Sequence, residues 1–148
     1  MHPTVERVGS KLLVVHQWLY EHTDGRVGAR VGGRPMLLLR TVGARTGAAR
    51  TSALLYVPDG DNYAVIASKG GDARHPGWFH NLSAHPDVEI QVGRTRIPVR
   101  ARVADGDERA RLWAQADAVN KGQYSVYQSR TDRRIPVVVL EPRAHAAE

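Results

Sequence analysis

Residues 37–56 read LLLRTVGARTGAARTSALLY. Leu37, Leu38 and Leu39 run into a segment rich in glycine, threonine and arginine, and Ala53, Leu54, Leu55 and Tyr56 leave it. The two apolar flanks read as β-strands and the middle as their connection. Gly43 and Gly47 can take a positive φ, which lets a short connection turn several backbone N–H groups to one side. Arg45, Thr46 and Arg50 add side-chain donors, and Arg40 adds another if it faces the same way. Such a concavity suits a phosphate or carboxylate. A plainer reading is a solvated hairpin tip that happens to be basic.

Working outward, Pro58, Asp59, Gly60 and Asp61 form a turn signal, and residues 63–67 read as a third strand. Three strands joined by short turns suggest an antiparallel meander. After the break at Gly70 and Gly71, Pro76 opens a short helix through Trp78, His80, Asn81 and Leu82, which His85 and Pro86 end. Val88, Ile90 and Val92 alternate, as do Ile97, Val99, Ala101 and Val103, giving a second hairpin around Gly93 and Arg94. Asp105, with Glu108 three residues on, has the register of a capping box for a helix bearing Leu112, Trp113 and Ala116. A loop or short helix over 122–134 holds Tyr124 and Tyr127, and residues 135–140 form a last strand apolar on both faces. Ahead of all this, Val5, Val8, Leu12, Val15 and Leu19 mark one stripe of an amino-terminal helix. About six mostly antiparallel strands with peripheral helices give an α+β fold, and short hairpins favour a small barrel over a doubly wound sheet. The expected division is helix and linker over 1–35, the barrel domain over 36–142, and a disordered tail over 143–148.

The 148 residues suit one domain. The net charge of +6 comes almost wholly from arginine, since Lys11, Lys69 and Lys121 are the only lysines. A basic chain suits an anionic partner, whether nucleic acid, membrane surface or small molecule. Arginine-rich usage also looks like a high-GC, actinobacterial genome, which weakens nucleic acid as the reason. Cysteine is absent, which excludes disulfides, thiolate catalysis and thiolate metal sites. No leader and no run near the ~18 apolar residues of a membrane span is visible, so a cytoplasmic location is expected. Contact of the first helix with a membrane surface stays open.

Other residues carry chemistry. Ser68, Lys69, Gly70 and Gly71 follow the third strand, and glycines there let a flat ligand lie against backbone; an ordinary Gly-Gly loop is the alternative. Trp78 and Phe79 could stack a ring or fill the core, and Asn81 could touch a ligand or cap its helix. His75, His80 and His85 invite a metal reading, but five helical residues rotate by roughly 140°, so these rings do not share a helix face and no metal is expected. Tyr124 and Tyr127, three apart, point the same way on a helical turn, and a phenol can donate a proton or orient an oxygen; two core tyrosines are equally consistent. The polar run of Ser129, Arg130, Thr131, Arg133 and Arg134 reads as surface. No hydrolase or nucleotidase motif is present.

Three segments, LLLRTVGARTGAARTSALLYV, VIASKGGDARHPGWFHNLSAHPDVEIQVG and YQSRTDRRIPVVVLEP, resemble in order and spacing the deazaflavin-dependent nitroreductase family. The likeness spans residues 36–142. It implies a split β-barrel like that of FMN-binding oxidoreductases, holding coenzyme F420 in a groove and passing hydride from its reduced form to a quinone, enone or nitro compound. By the same likeness Arg45, Thr46 and Arg50 bind the cofactor's phosphate and glutamyl tail. Ser68, Lys69 and Gly70 meet the deazaflavin edge, and Trp78 and Asn81 flank it. Tyr127 and Tyr124 line the substrate side as catalytic candidates, with water an equal competitor for the proton. An FMN-dependent enzyme on the same barrel and a non-catalytic F420 carrier are the alternatives. Barrels of this type often pair, so a monomer and a homodimer both remain open.

Overall fold

A computed structural model of the protein describes residues 30–144 with the exception of residue 32. The amino-terminal helix, most of its linker, the membrane contact it suggested and the last four residues lie outside the described residues. The strands are β1 (Arg30–Val31), β2 (Arg34–Val42), β3 (Ala49–Leu55), β4 (Val57–Asp59), β5 (Asn62–Ile66), β6 (Asp87–Val92), β7 (Thr95–Val103) and β8 (Val137–Pro142). The helices are α1 (Gly77–Ala84), α2 (Gly106–Val119) and α3 (Gln123–Ser129), with a 3-10 turn at Lys69–Gly71. All strand pairs are antiparallel, in the order β1-β2-β6-β7-β8-β5-β4, with β3 also paired to β2.

This is the expected α+β split barrel, with one change of neighbours. The first three long strands do not form a meander. β3 follows β2 in register from Val42↔Ala49 to Met36↔Leu55, then the chain leaves that pair at Tyr56, whose N–H bonds to the Pro35 carbonyl. The segment read as a turn begins with β4, which folds back on β5, and β5 takes β8 as its other partner. The unbroken apolar run of β8 explains that choice, because a strand buried on both faces belongs between two neighbours, here β7 and β5. Ile135 to Leu140 are all buried.

Both faces of the sheet are covered. Leu37, Leu39, Val65, Ile90, Val138 and Leu140 meet on the face that Trp78 and Leu82 of α1 close. Leu38, Ala64, Ile66, Val137 and Val139 face Leu112 and Ala116 of α2 and Tyr124 of α3. The apolar i, i+4 pair of α1 and the Leu112/Ala116 pair of α2 are what fix those helices on the sheet.

The capping box does not form. Asp105 stands at the N-cap of α2 but makes no side-chain cap bond. Glu108 is drawn off instead by Arg102 of β7, which takes both of its oxygens and also bonds Glu141 of β8. Arg111 likewise forks onto Asp59. These bonds hold the Glu108 carboxyl below its ordinary 4.5 and the Asp59 carboxyl below its ordinary 3.8, in each case chiefly through the arginine's hydrogen bond. A depressed folded pKa means a contribution that is complete above the unfolded value and lost as pH falls through the folded one. The melting temperature is therefore expected to fall as pH drops below about 4, and less steeply in Arg102→Gln, which gives up about 0.5–1 kcal/mol already at neutral pH. Thermal melts followed by circular dichroism from pH 7 downward check this; parallel curves for the two proteins would refute it.

Candidate functional site

The β2–β3 connection is tightly wound. Gly43 donates to the Ala48 carbonyl at 2.8 Å and Gly47 to the Gly43 carbonyl at 2.9 Å. Ala48 donates to the Thr46 hydroxyl at 3.2 Å, and Ala44 donates to Asn81 Oδ1 at 2.9 Å. Gly43 is favoured by space, since a Cβ there would crowd Thr46 Oγ1 at 3.0 Å and the Ala48 carbonyl at 3.3 Å, and Gly47 by its φ of +71°. Most of the loop's amides are thus committed within the fold. The Arg45 and Thr46 N–H groups have no partner among the described residues, fewer free donors than the sequence suggested. Arg40 does not join them. Its guanidinium bonds Gln91 at 2.7 Å and lies 3.6 Å from Glu89.

Asn81 of α1 reaches the hairpin twice, accepting from Ala44 and donating through Nδ2 to Thr41 Oγ1 at 3.0 Å. Between hairpin and helix runs a groove of about 960 Å³. Arg45, Thr46, Arg50, Thr51 and Ser52 line one wall, and Gly77, Trp78, His80, Asn81 and Ser83 the other. Two exposed guanidiniums and an imidazole face it, and among the described residues no carboxylate does. Arg50 makes one long bond, 3.5 Å to the Ala49 carbonyl, so its charge is nearly uncommitted. Trp78 is only 9% exposed and serves mainly as core, showing the groove one edge.

Ser68, Lys69 and Gly70 are placed elsewhere, in the turn after β5. Lys69, Gly70 and Gly71 take φ values of 44°, 61° and 82° in succession. A left-handed lysine costs roughly 1–2 kcal/mol, so neighbours must hold it there. One neighbour is α3. A Cβ on Gly71 would sit 2.5 Å from the Tyr127 carbonyl oxygen, so only glycine fits. The other is Arg133, which donates to the carbonyls of Ala67 at 3.1 Å, Ser68 at 2.7 Å and Asp72 at 2.8 Å. Its Nη1 also lies 3.1 Å from His75 Nδ1. A guanidinium can only donate, so Nδ1 accepts and the His75 proton rests on Nε2. Burial, followed by the Arg133 and His80 charges, pushes the His75 pKa down and keeps the ring neutral.

The tyrosines stand side by side on α3, ring centroids 6.2 Å apart. They do not share an environment. Tyr124 is 6% exposed, packed against Trp113, and burial pushes its phenol well above the ordinary 10. Tyr127 is half-buried, with the Arg130 guanidinium 5.6 Å over its ring. Tyr124 is thus a core residue.

Two clusters result, the hairpin groove and the turn with α3. The loop 72–76 joins them, and His75 bridges them, its ring 5.8 Å from that of His80 on the groove wall. The closeness of these two rings departs from the helical-wheel argument, because the helix starts only at Gly77. Among the described residues no group of three His, Cys, Asp or Glu is placed to hold a metal ion. Sequence reading missed Arg133 and Gln128. Gln128 accepts from Ile135 N at 3.0 Å and donates to the Arg133 carbonyl at 2.8 Å, shaping the loop that delivers the guanidinium.

A family model described as F420H(2)-dependent quinone reductase matches residues 12–142. The chain is 51% identical over 139 residues to the F420H(2)-dependent quinone reductase Rv1261c of Mycobacterium tuberculosis, covering 92% of this chain and 93% of that one. Among solved structures, an F420-H2 dependent reductase (FDR-A) superposes with a TM-score of 0.67 at 41% identity, over 73% of this chain and 95% of that one. Another, described as a domain-swapped dimer, gives 0.68 at 39% identity, over 84% and 98%.

Proposed function

Because the chain belongs to the F420H(2)-dependent quinone reductase family, we propose that it is an oxidoreductase that reduces a quinone-class acceptor, or a related enone or nitro compound, with reduced coenzyme F420. The assignment to a site rests on the hairpin groove, arginine-flanked and, among the described residues, free of carboxylates. It suits the polyanionic tail of that cofactor by charge. In this reading Arg45 and Arg50 neutralise the tail, while the Thr46 and Arg45 N–H groups orient its oxygens. Asn81 shapes the groove floor and Trp78 gives it an apolar edge.

Ser68, Lys69 and Gly70 present backbone and an ammonium to the deazaflavin edge, held in their left-handed turn by Arg133 and by the packing of Gly71 on α3. When bound, the reduced cofactor supplies the hydride. Tyr127, beside that turn, orients the acceptor oxygen with its hydroxyl and holds a proton at Oη for it. Tyr124 is too buried to give up its proton and supports the Tyr127 ring from below.

Fluorescence titration with F420 and with FMN, followed by turnover of menadione with F420H2, tests the reading. Micromolar F420 binding with turnover is expected. Binding of FMN alone would defeat it, and F420 binding without turnover would make the protein a carrier.

A further inference from the structure

A second hollow, of about 420 Å³, lies between α2 and α3 and shares no lining residue with the hairpin groove. Arg109, Ala110 and Trp113 of α2, Ser125 and Gln128 of α3, and Arg134 line it together with Gly106. Arg109 is already immobilised. Its Nη1 donates to the Ile135 carbonyl at 2.6 Å, and its guanidinium carbon lies 5.3 Å from the centroid of the Trp113 ring, over its face. Its Nε and Nη2 have no partner among the described residues, and Arg134 is exposed and makes no ion pair among them. The two cations are near enough to disfavour one another, since burial and then the Arg134 charge push the Arg109 pKa down.

Among the described residues the nearby carboxylates are engaged or exposed. Asp117 holds Ser125 through its N–H and hydroxyl, Glu108 holds Arg102, and Asp105 and Asp107 are exposed. None lines the hollow. The Gln128 amide is spent on the loop 131–135.

We propose that this hollow binds a small carboxylate with a flat apolar body, its carboxylate bridging Arg109 and Arg134 and its body lying against Ala110 and Trp113. A fixed guanidinium with spare donors loses little side-chain freedom on binding an anion. A bridging anion also relieves the repulsion between the two arginines. The apolar wall of Ala110 and Trp113 beside the two cations selects an organic anion over a bare one.

The test uses the full chain, ¹⁵N-labelled, titrated with benzoate and separately with inorganic phosphate. Benzoate is expected to shift the Trp113 indole N–H and the Gly106 amide saturably in the millimolar range, with phosphate weaker. Arg134→Gln, at an exposed position, should weaken benzoate by about tenfold. Arg45→Gln should leave it unchanged. Shifts that never saturate, phosphate binding as tightly as benzoate, an unaltered Arg134→Gln affinity, or loss in Arg45→Gln would each overturn the proposal. None of these outcomes bears on F420 binding in the other groove.

Discussion

Arg133→Ala is expected to destabilise the protein by about 2–4 kcal/mol and to weaken F420 binding about tenfold in the fraction that stays folded. The guanidinium satisfies three backbone carbonyls and one imidazole nitrogen at once. Removing it leaves those acceptors in a place where burial already depresses the arginine's own pKa. It also releases the turn in which Lys69 holds a φ of 44°. Without the clamp, the lysine relaxes toward ordinary backbone, and with it the surface proposed above to meet the cofactor edge. Arg133→Lys should recover part of the stability but little of the affinity, because an ammonium cannot fork onto diverging carbonyls. Melting temperature, F420 titration and the kcat against KM split for menadione check this. A variant that melts early but binds F420 normally would detach the turn from the cofactor.

Arg45→Gln with Arg50→Gln is expected to raise the F420 dissociation constant by about ten- to a hundredfold in low salt, with the gap narrowing as salt is added. Both side chains are exposed and barely committed within the protein, so their loss perturbs the fold little and the ligand much. The lost interaction is the same before and during reaction, since the tail does not change charge. At saturating cofactor, kcat should therefore hold while the cofactor KM rises. Fluorescence titration at several ionic strengths measures the first effect and steady-state kinetics the second. Unchanged affinity would move the tail out of this groove.

The barrel was legible because its signals are local. Alternation in Val88–Val92 and Ile97–Val103, glycine at the β6–β7 turn and the unbroken apolar run at the end each name one strand. Partner choice was not legible: the same stretches permit a meander, and only the demand of β8 for two neighbours moves β5 away from β3. The basic hairpin could be foreseen from Arg45, Thr46 and Arg50, which lie close in sequence, but its pairing with α1 as the second wall of a groove could not. Arg133 could not. Its value lies in carbonyls 61 to 66 residues away, and a run of serine, threonine and arginine carries no mark of that. Tyr124 and Tyr127 show the converse limit. Their spacing gives a common direction but not depth, and depth separates a core phenol from one that meets solvent.

The double attachment of Asn81 to the hairpin has a mechanical meaning. Bonds to Thr41 and Ala44 stitch the helix to the hairpin, two cross-links between the walls of the groove. Cross-links of this kind oppose a change in the spacing of the walls. If the groove takes the cofactor tail as proposed above, capture of that thin, flexible chain needs no closing of jaws, only the settling of two loose guanidiniums, and the pace of loading is left to diffusion and to the pull of charge.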